Sequence, residues 1–543
     1  MIAAGGSASF RAVRSGSAAK LDGLVRGDGV LDARMPHARI LAGAALLYLA
    51  LRLPWLGSIP GYTFDEGLLG LVAKNWVTLG DPFFGGNLDL LRFPLFTSLL
   101  AGLYALCGCS IMVSRTLSIA AGLASFWLLA RIARRLLPCA AVPWALLLYA
   151  ADFVLVRYQR YGLAESLQIF LLLGVVLVWT NRPRKQASWK HALWKGSFLA
   201  LAVLQKPTSL HLLPALIWLD IHRDSGDILY RTASTEENAE SAAAVPTTGG
   251  KARLGRSAWL PYVVAASICA AAYAALWMAF GDLFLNAWRL YARPSFPLTD
   301  LPRTLGLLAL GSPFAFVSLA LFPMWAWAKR RRPPRNDSPA EDDSPPGRMS
   351  RGQDPQSGFL AVWILGGLLF LLAQPLHPVR YFAALWPAAI LAAAWLLHEA
   401  ACRLRPIWSR REVARTVRGS ALPAIAVAYG VLAFVGYYLI GGHRDSTGRD
   451  VAAWMKAHAS LDARVLGAPH LGVDIPQPFL EVTGVRALAL SDSVLTVHDA
   501  RFILYDPEWR AISDRLKLGV EDTLRATSVL RAKVGEAEIW ERK

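Results

Sequence analysis

Two adjacent carboxylates, Asp65 and Glu66, stand in Gly61-Tyr62-Thr63-Phe64-Asp65-Glu66-Gly67, just past the first long apolar run. A third acid, Glu165, follows the aromatic and basic stretch Arg157-Tyr158-Gln159-Arg160-Tyr161. Cations that could face these acids are Arg92, Arg115, Arg160, Lys206 and Arg380. A carboxylate beside a reacting hydroxyl can take its proton as general base. Arg binds phosphate through a planar fork and Lys as a point charge. Together they are equipment for moving a group from an anionic carrier to a hydroxyl.

Each residue also has a plainer reading. Acids favour helix N-termini, so Asp65-Glu66 and Glu165 can simply start helices. Arg157 and Arg160 beside Tyr158 and Tyr161 also suit an interfacial anchor. Arg115 near a span end can simply snorkel to the interface, although intramembrane charges usually have partners, which favours a functional role. Lys206 falls in a tight turn, and His377 suits packing or hydrogen bonding. Asp152 lies inside an apolar run and needs a partner. His470 and His498 belong to no constellation.

The elements that must carry these residues are membrane spans. The chain has 543 residues, 55% hydrophobic, with 20 tryptophans and a mean hydropathy of +0.36. Its apolar residues form repeated runs near 38–56, 111–133, 138–156, 166–180, 191–205, 207–220, 259–280, 304–328, 358–373, 381–398 and 421–440. Such lengths suit bilayer-crossing helices, which predicts about eleven spans. The net charge of +18 sits in short basic stretches between the runs, as in cytoplasmic loops, which excludes nucleic acid as partner. Five cysteines show no metal spacing and no disulfide framework.

The positive-inside rule places the N-terminus in the cytoplasm. It keeps residues 93–108 from crossing, because counting them as a span would move nearly every later basic loop outside. They are therefore expected to form a juxtamembrane or re-entrant helix in the first external loop. Residues 1–36 read as a disordered cytoplasmic segment with no cleavable signal, and 221–258 and 329–357 as cytoplasmic linkers. Residues 37–440 make up the membrane domain. Residues 441–543 turn polar and predict a small external α/β domain, with a helix from Asp450, strands at 464–466 and 501–505, and a helix over 509–516.

With this orientation the acids and most of the cations gather at the external boundary. A sugar on a polyprenyl phosphate needs this arrangement: cations for the interfacial phosphate, and a carboxylate on the opposite face of the sugar carbon. Attack from that face inverts the anomeric centre.

At this point the chain resembles the protein O-mannosyltransferase and lipid A aminoarabinose transferase family of the GT-C superfamily of membrane glycosyltransferases. Asp65-Glu66, Gly80-Asp81-Pro82, Arg92-Phe93-Pro94-Leu95 and Arg115 are similar to its first external loop and following span. Ala164-Glu165 resembles its second acidic site. Gln205-Lys206-Pro207-Thr208 resembles its Lys-containing turn, and His377-Pro378-Val379-Arg380-Tyr381 its late Arg-Tyr element. The similarity spans roughly residues 40–400.

The resemblance implies a polytopic all-α GT-C fold with juxtamembrane helices in the first loop. It implies Asp65 as catalytic base, with Glu66 and Glu165 as further acids. Arg92, Arg115, Arg160, Lys206 and Arg380 are implied at the donor phosphate, and Tyr62, Tyr161, His377 and Tyr381 in the substrate pocket. Two positions depart from the family: Arg92 stands where relatives often have Lys, and Glu165 where many have Asp. No cofactor is required, although a divalent ion near Asp65, Glu66 and Glu165 is left open. The implied activity is inverting glycosyl transfer from a polyprenyl-phosphate donor to a protein, lipid or glycan acceptor at the outer face of a bacterial inner membrane. The competing reading is a transporter or flippase for a lipid-linked or anionic substrate, which calls for inverted repeats and mid-membrane charges; no convincing repeat is found.

Overall fold

The computed structural model describes residues 35–57, 63–84, 88–181, 189–223, 256–292, 300–331, 355–372, 379–408, 424–425, 427–432, 434–436, 447–481 and 499–543. Tyr62, His377, His498, residues 1–34, most of the expected linkers and nine residues of 421–440 lie outside the described residues.

The apolar runs fold as helices with legible ends. Ser110 starts Ile111–Leu136, its hydroxyl accepting from the Met112 amide at 3.2 Å and satisfying one of the helix's unpaired first-turn donors. This helix and Ala258–Phe280 are each long and apolar enough to cross a bilayer. Two expected spans are broken instead. The 138–156 run bends by 48° between Cys139–Ala151 and Phe153–Arg160. The break is at Asp152, whose carboxylate caps the second helix by accepting from the Leu155 amide at 3.0 Å. That gives Asp152 its partner. The 304–328 run turns by 109° between Leu301–Gly311 and Pro313–Lys329, where Pro313 has no N–H to continue the ladder.

By length and composition, two described helices can cross a membrane, or up to four if each bent pair is one span. Other expected spans are shorter apolar helices, among them Ala164–Thr180 and Gln356–Leu372. Residues 93–108 form Pro94–Cys107, with Pro at the first helical position, where its missing N–H costs nothing. It packs on Phe64–Leu79, called here the first-loop helix. That helix stops at Gly80, whose φ of 70° an L side chain would resist.

The C-terminal region folds as a three-layer α/β unit. Its five strands are β1 (Val465–Gly467), β2 (Phe479–Glu481), β3 (Phe502–Tyr505), β4 (Ser528–Val534) and β5 (Ala537–Arg542). They form one sheet in the order β2-β1-β3-β5-β4, parallel across β2, β1 and β3 and antiparallel beyond. β1 and β3 are buried throughout, as central parallel strands must be. Val465, Phe502 and Leu504 pack under Thr447–His458 on one face. Leu466, Ile503 and Tyr505 pack under Pro507–Leu516 and Val520–Thr527 on the other.

Candidate active site

The first-loop helix begins after Thr63, which is extended (φ −114°, ψ 151°), so Asp65 and Glu66 both fall in its first turn. The positive end of the helix favours acids there. Successive helical residues point about 100° apart, and the two carboxylates therefore meet different surroundings.

Glu66 points into the protein and is fully buried. Its Oε1 accepts from Arg115 Nε at 2.8 Å and from the Gly162 amide at 2.7 Å, and its Oε2 accepts from Arg115 Nη2 at 2.7 Å. Arg115, also fully buried, donates through Nη1 to the Leu56 carbonyl at 2.6 Å. This bidentate pair ties the first-loop helix to Ile111–Leu136.

Asp65 turns the other way, with its side chain 47% exposed, and forms an ion pair with Arg380 Nη1. Arg380 Nε lies 3.8 Å from Glu165 Oε1, the same oxygen that accepts from Lys206 Nζ at 2.7 Å. Lys206 Nζ sits 4.2 Å from the centroid of the Tyr381 ring and 5.6 Å from that of Phe93, close enough for cation–π attraction. Asp65, Arg380, Glu165 and Lys206 thus form a chain of alternating charge, open to solvent at the Asp65 end and buried at the Lys206 end. The Arg380 Nε is buried with no hydrogen-bond partner among the described residues.

Local sequence explains each position. Glu165 is in the first turn of Ala164–Thr180. Lys206 lies between Trp189–Gln205 and a 3-10 turn, Pro207–Leu212, that Pro207 forces away from the α-helix. Gln205, fully buried, accepts from the Phe96 amide at 3.0 Å and donates to the Ala164 carbonyl at 3.1 Å. Tyr381 and Arg380 share the short helix Val379–Phe382.

Several expected phosphate ligands are committed elsewhere. Arg115 is held by Glu66. Arg160 is fully buried and donates to the carbonyls of Leu51, Arg52 and Pro54 at 3.2, 2.9 and 2.7 Å. It satisfies carbonyls at the end of Met35–Arg52, which a helix C-terminus leaves unpaired. Arg92 pairs with Asp89 at 2.9 Å and donates to the Ala287 carbonyl at 3.3 Å; the ring of its neighbour Phe93 lies 5.6 Å from Lys206 Nζ. Tyr161 is buried with its ring 6.0 Å from the Arg115 guanidinium. A divalent ion bridging Asp65, Glu66 and Glu165 does not fit, because Glu66 faces away and is filled by Arg115. Among the described residues no three His, Cys, Asp or Glu side chains converge.

Arg52 and Gln159 carry no role in the sequence reading, and Lys74 and Gln205 none beyond their places in the first loop and the Lys-containing turn. Arg52 is fully buried and donates to Gln159 Oε1 at 2.7 Å and the Ala150 carbonyl at 2.8 Å. Its signal was a lone cation ending an apolar run. Beside the first-loop helix, Trp76, Phe83, Leu90, Pro94, Leu276 and Phe280 line an open, mostly apolar groove of about 490 Å³.

The family described as dolichyl-phosphate-mannose-protein mannosyltransferase matches residues 92–230. That stretch includes Glu165 and Lys206 but not Asp65 or Arg380. No curated protein matches the chain in sequence. The structure of ArnT from Cupriavidus metallidurans bound to undecaprenyl phosphate is 14% identical, with a TM-score of 0.59, covering 94% of this chain and 98% of that one. The Archaeoglobus fulgidus oligosaccharyltransferase in its apo form is 13% identical, with a TM-score of 0.52, covering 87% and 69%. The oligosaccharyltransferase AglB of the same organism, in complex with an inhibitory peptide and a dolichol-phosphate, is 12% identical, with a TM-score of 0.50, covering 93% and 74%. The chain shares the fold of these solved structures.

Proposed function

We propose that this protein is an inverting glycosyltransferase that moves a sugar from a polyprenyl-phosphate donor to a hydroxyl at the external face of the membrane. The observation that carries the proposal is the charge chain Asp65–Arg380–Glu165–Lys206. It sets a half-exposed carboxylate against a guanidinium whose buried Nε has no hydrogen-bond partner among the described residues. Fold-mates bound to undecaprenyl phosphate and dolichol-phosphate support the class of carrier. The apolar groove beside the first-loop helix suits a polyprenyl chain.

In this reading the donor phosphate meets Arg380, with Lys206 behind it, and Glu165 holds both cations in place. The acceptor oxygen attacks the anomeric carbon from the face opposite the phosphate, while Asp65 takes the hydroxyl proton. A carbon–oxygen glycosidic bond forms and the bond from the anomeric carbon to the phosphate oxygen breaks. Polyprenyl phosphate leaves with that electron pair, its charge offset by Arg380 and Lys206. The anomeric configuration inverts. Glu66 and Arg115 take no part in bond making and fix the helix that carries Asp65. The cytoplasmic N-terminus and the external C-terminal unit belong to the same proposal.

The test is a deletion strain of the source organism. One polyprenyl-phosphate sugar is expected to accumulate there and to clear when the wild-type chain is restored. Asp65→Asn, present at equal level, is expected to leave it uncleared. Clearance at the wild-type rate by Asp65→Asn would remove Asp65 as base; absence of any accumulating donor would remove the donor assignment.

A further inference from the structure

The first-loop helix carries two stripes besides Asp65. Glu66, Leu69 and Ala73 lie at i, i+3 and i+7, one face of a helix. Leu69 and Ala73 are buried in the transmembrane core, while Glu66 pairs with Arg115. Gly67, Gly70, Leu71 and Lys74 lie at i, i+3, i+4 and i+7 and form a second face, which meets the C-terminal α/β unit.

That contact is intimate. A Cβ added at Gly67 would lie 2.2 Å from the His470 backbone nitrogen, and one at Gly70 would lie 2.8 Å from Val473 Cγ2. Only a residue without a side chain lets the turn Pro469–Gly472 come so near. Leu71 is fully buried among Val451, Met455, Val465 and Phe479 of the unit's own core. Lys74 is 2% exposed and its Nζ donates to three backbone carbonyls of one loop: Gly472 at 2.8 Å, Gln477 at 3.1 Å, and Ile475. Three N–H donors meet three acceptors, which is the full capacity of an ammonium.

We infer that the C-terminal unit is a positioning part of the active site, with Lys74 as the latch that sets the rotation of the first-loop helix and so the placement of Asp65. Helical spacing puts Asp65 on the side roughly opposite the stripe held by the unit. A roll of about 20° would move a carboxyl about 5 Å from the axis by nearly 2 Å. Misplacement of about 1 Å can cost on the order of a hundredfold in rate. The Glu66–Arg115 pair holds one end of the helix; Lys74, about 12 Å further along the axis, holds the other. The inference rests on the reading of Asp65 as base.

Lys74→Met tests it in the full-length protein. Amide exchange of residues 68–79 is expected to quicken at least tenfold, with β1 and β3 changed less than twofold. Donor clearance in the deletion strain is expected to slow at least tenfold at equal protein level. Lys74→Arg, which retains charge and donors, is expected to recover a large part of both. Gly67→Ala, which drives the turn at His470 off the helix, is expected to act in the same direction. Unchanged exchange in both Lys74→Met and Gly67→Ala would overturn the latch. Faster exchange with wild-type clearance would overturn its catalytic role. If Asp65→Asn itself clears donor normally, the reading of Asp65 fails instead, and exchange alone still decides whether the latch holds the helix.

Discussion

Asp65 and Glu66 are neighbours with opposite environments, and their substitutions should separate cleanly. Glu66 is a buried charge compensated, among the described residues, by Arg115 and the Gly162 amide. Removing one partner of such a pair leaves an uncompensated charge and typically costs about 3–5 kcal/mol. Glu66→Gln is therefore expected to lower the melting temperature sharply, and the Glu66→Ala, Arg115→Ala double variant to lose less than the two single losses combined. A Glu66→Gln protein that melts like wild type and loses only activity would put Glu66 in the chemistry. Asp65, half in solvent, should behave in reverse. Asp65→Asn is expected to lower turnover by about 10²–10⁴-fold, the usual worth of a general base, with melting little changed.

At the scale of elements, Gln205 joins three helices that surround the charge chain. It fills one of the amides left unpaired at the start of Pro94–Cys107 and accepts no substitute from that helix itself. It also binds the carbonyl just before Glu165, and the next residue is Lys206. Gln168 adds a second tie, donating to the Thr208 and Ser209 hydroxyls at 2.9 and 3.1 Å. Gln205→Leu keeps the size but leaves the buried Phe96 amide unmet, at about 1–3 kcal/mol, while the Ala164 carbonyl keeps its place in the ladder of Ala164–Thr180. A lower melting temperature and weaker donor clearance are expected. Wild-type melting of Gln205→Leu would show that the three helices hold together without it.

At the scale of the whole molecule, Lys74 makes the seating of the C-terminal unit depend on pH. Burial pushes its ammonium down from 10.5 to about 8, while Cys109 and Asp474, facing it, pull the other way. The seated form therefore holds fewer protons than the released form between pH 8 and 10.5. Seating strengthens as pH rises through that window. The gap in melting temperature between wild type and Lys74→Met is expected to widen from pH 7.5 to 10; a narrowing gap would contradict this sign. Below pH 8 the group is charged in both forms and the dependence vanishes.

Much of this protein was legible along the chain. Long apolar runs dictate helices, because a backbone in hydrocarbon must satisfy its own hydrogen bonds. Short apolar runs at 464–466 and 501–505 mark places where β1 and β3 run, and Asp65, Glu165, Lys206 and Arg380 stood out as charges beside apolar runs. Which charges meet was decided only in three dimensions. Asp65 and Arg380 are 315 positions apart and Lys74 and Gly472 are 398, distances at which local spacing carries no information. Arg115, Arg160 and Arg380 were all candidates for the donor phosphate in sequence. Packing turned them inward to Glu66 and to the end of the first helix, because a buried guanidinium goes where buried acceptors are, and left Arg380 beside the exposed acid.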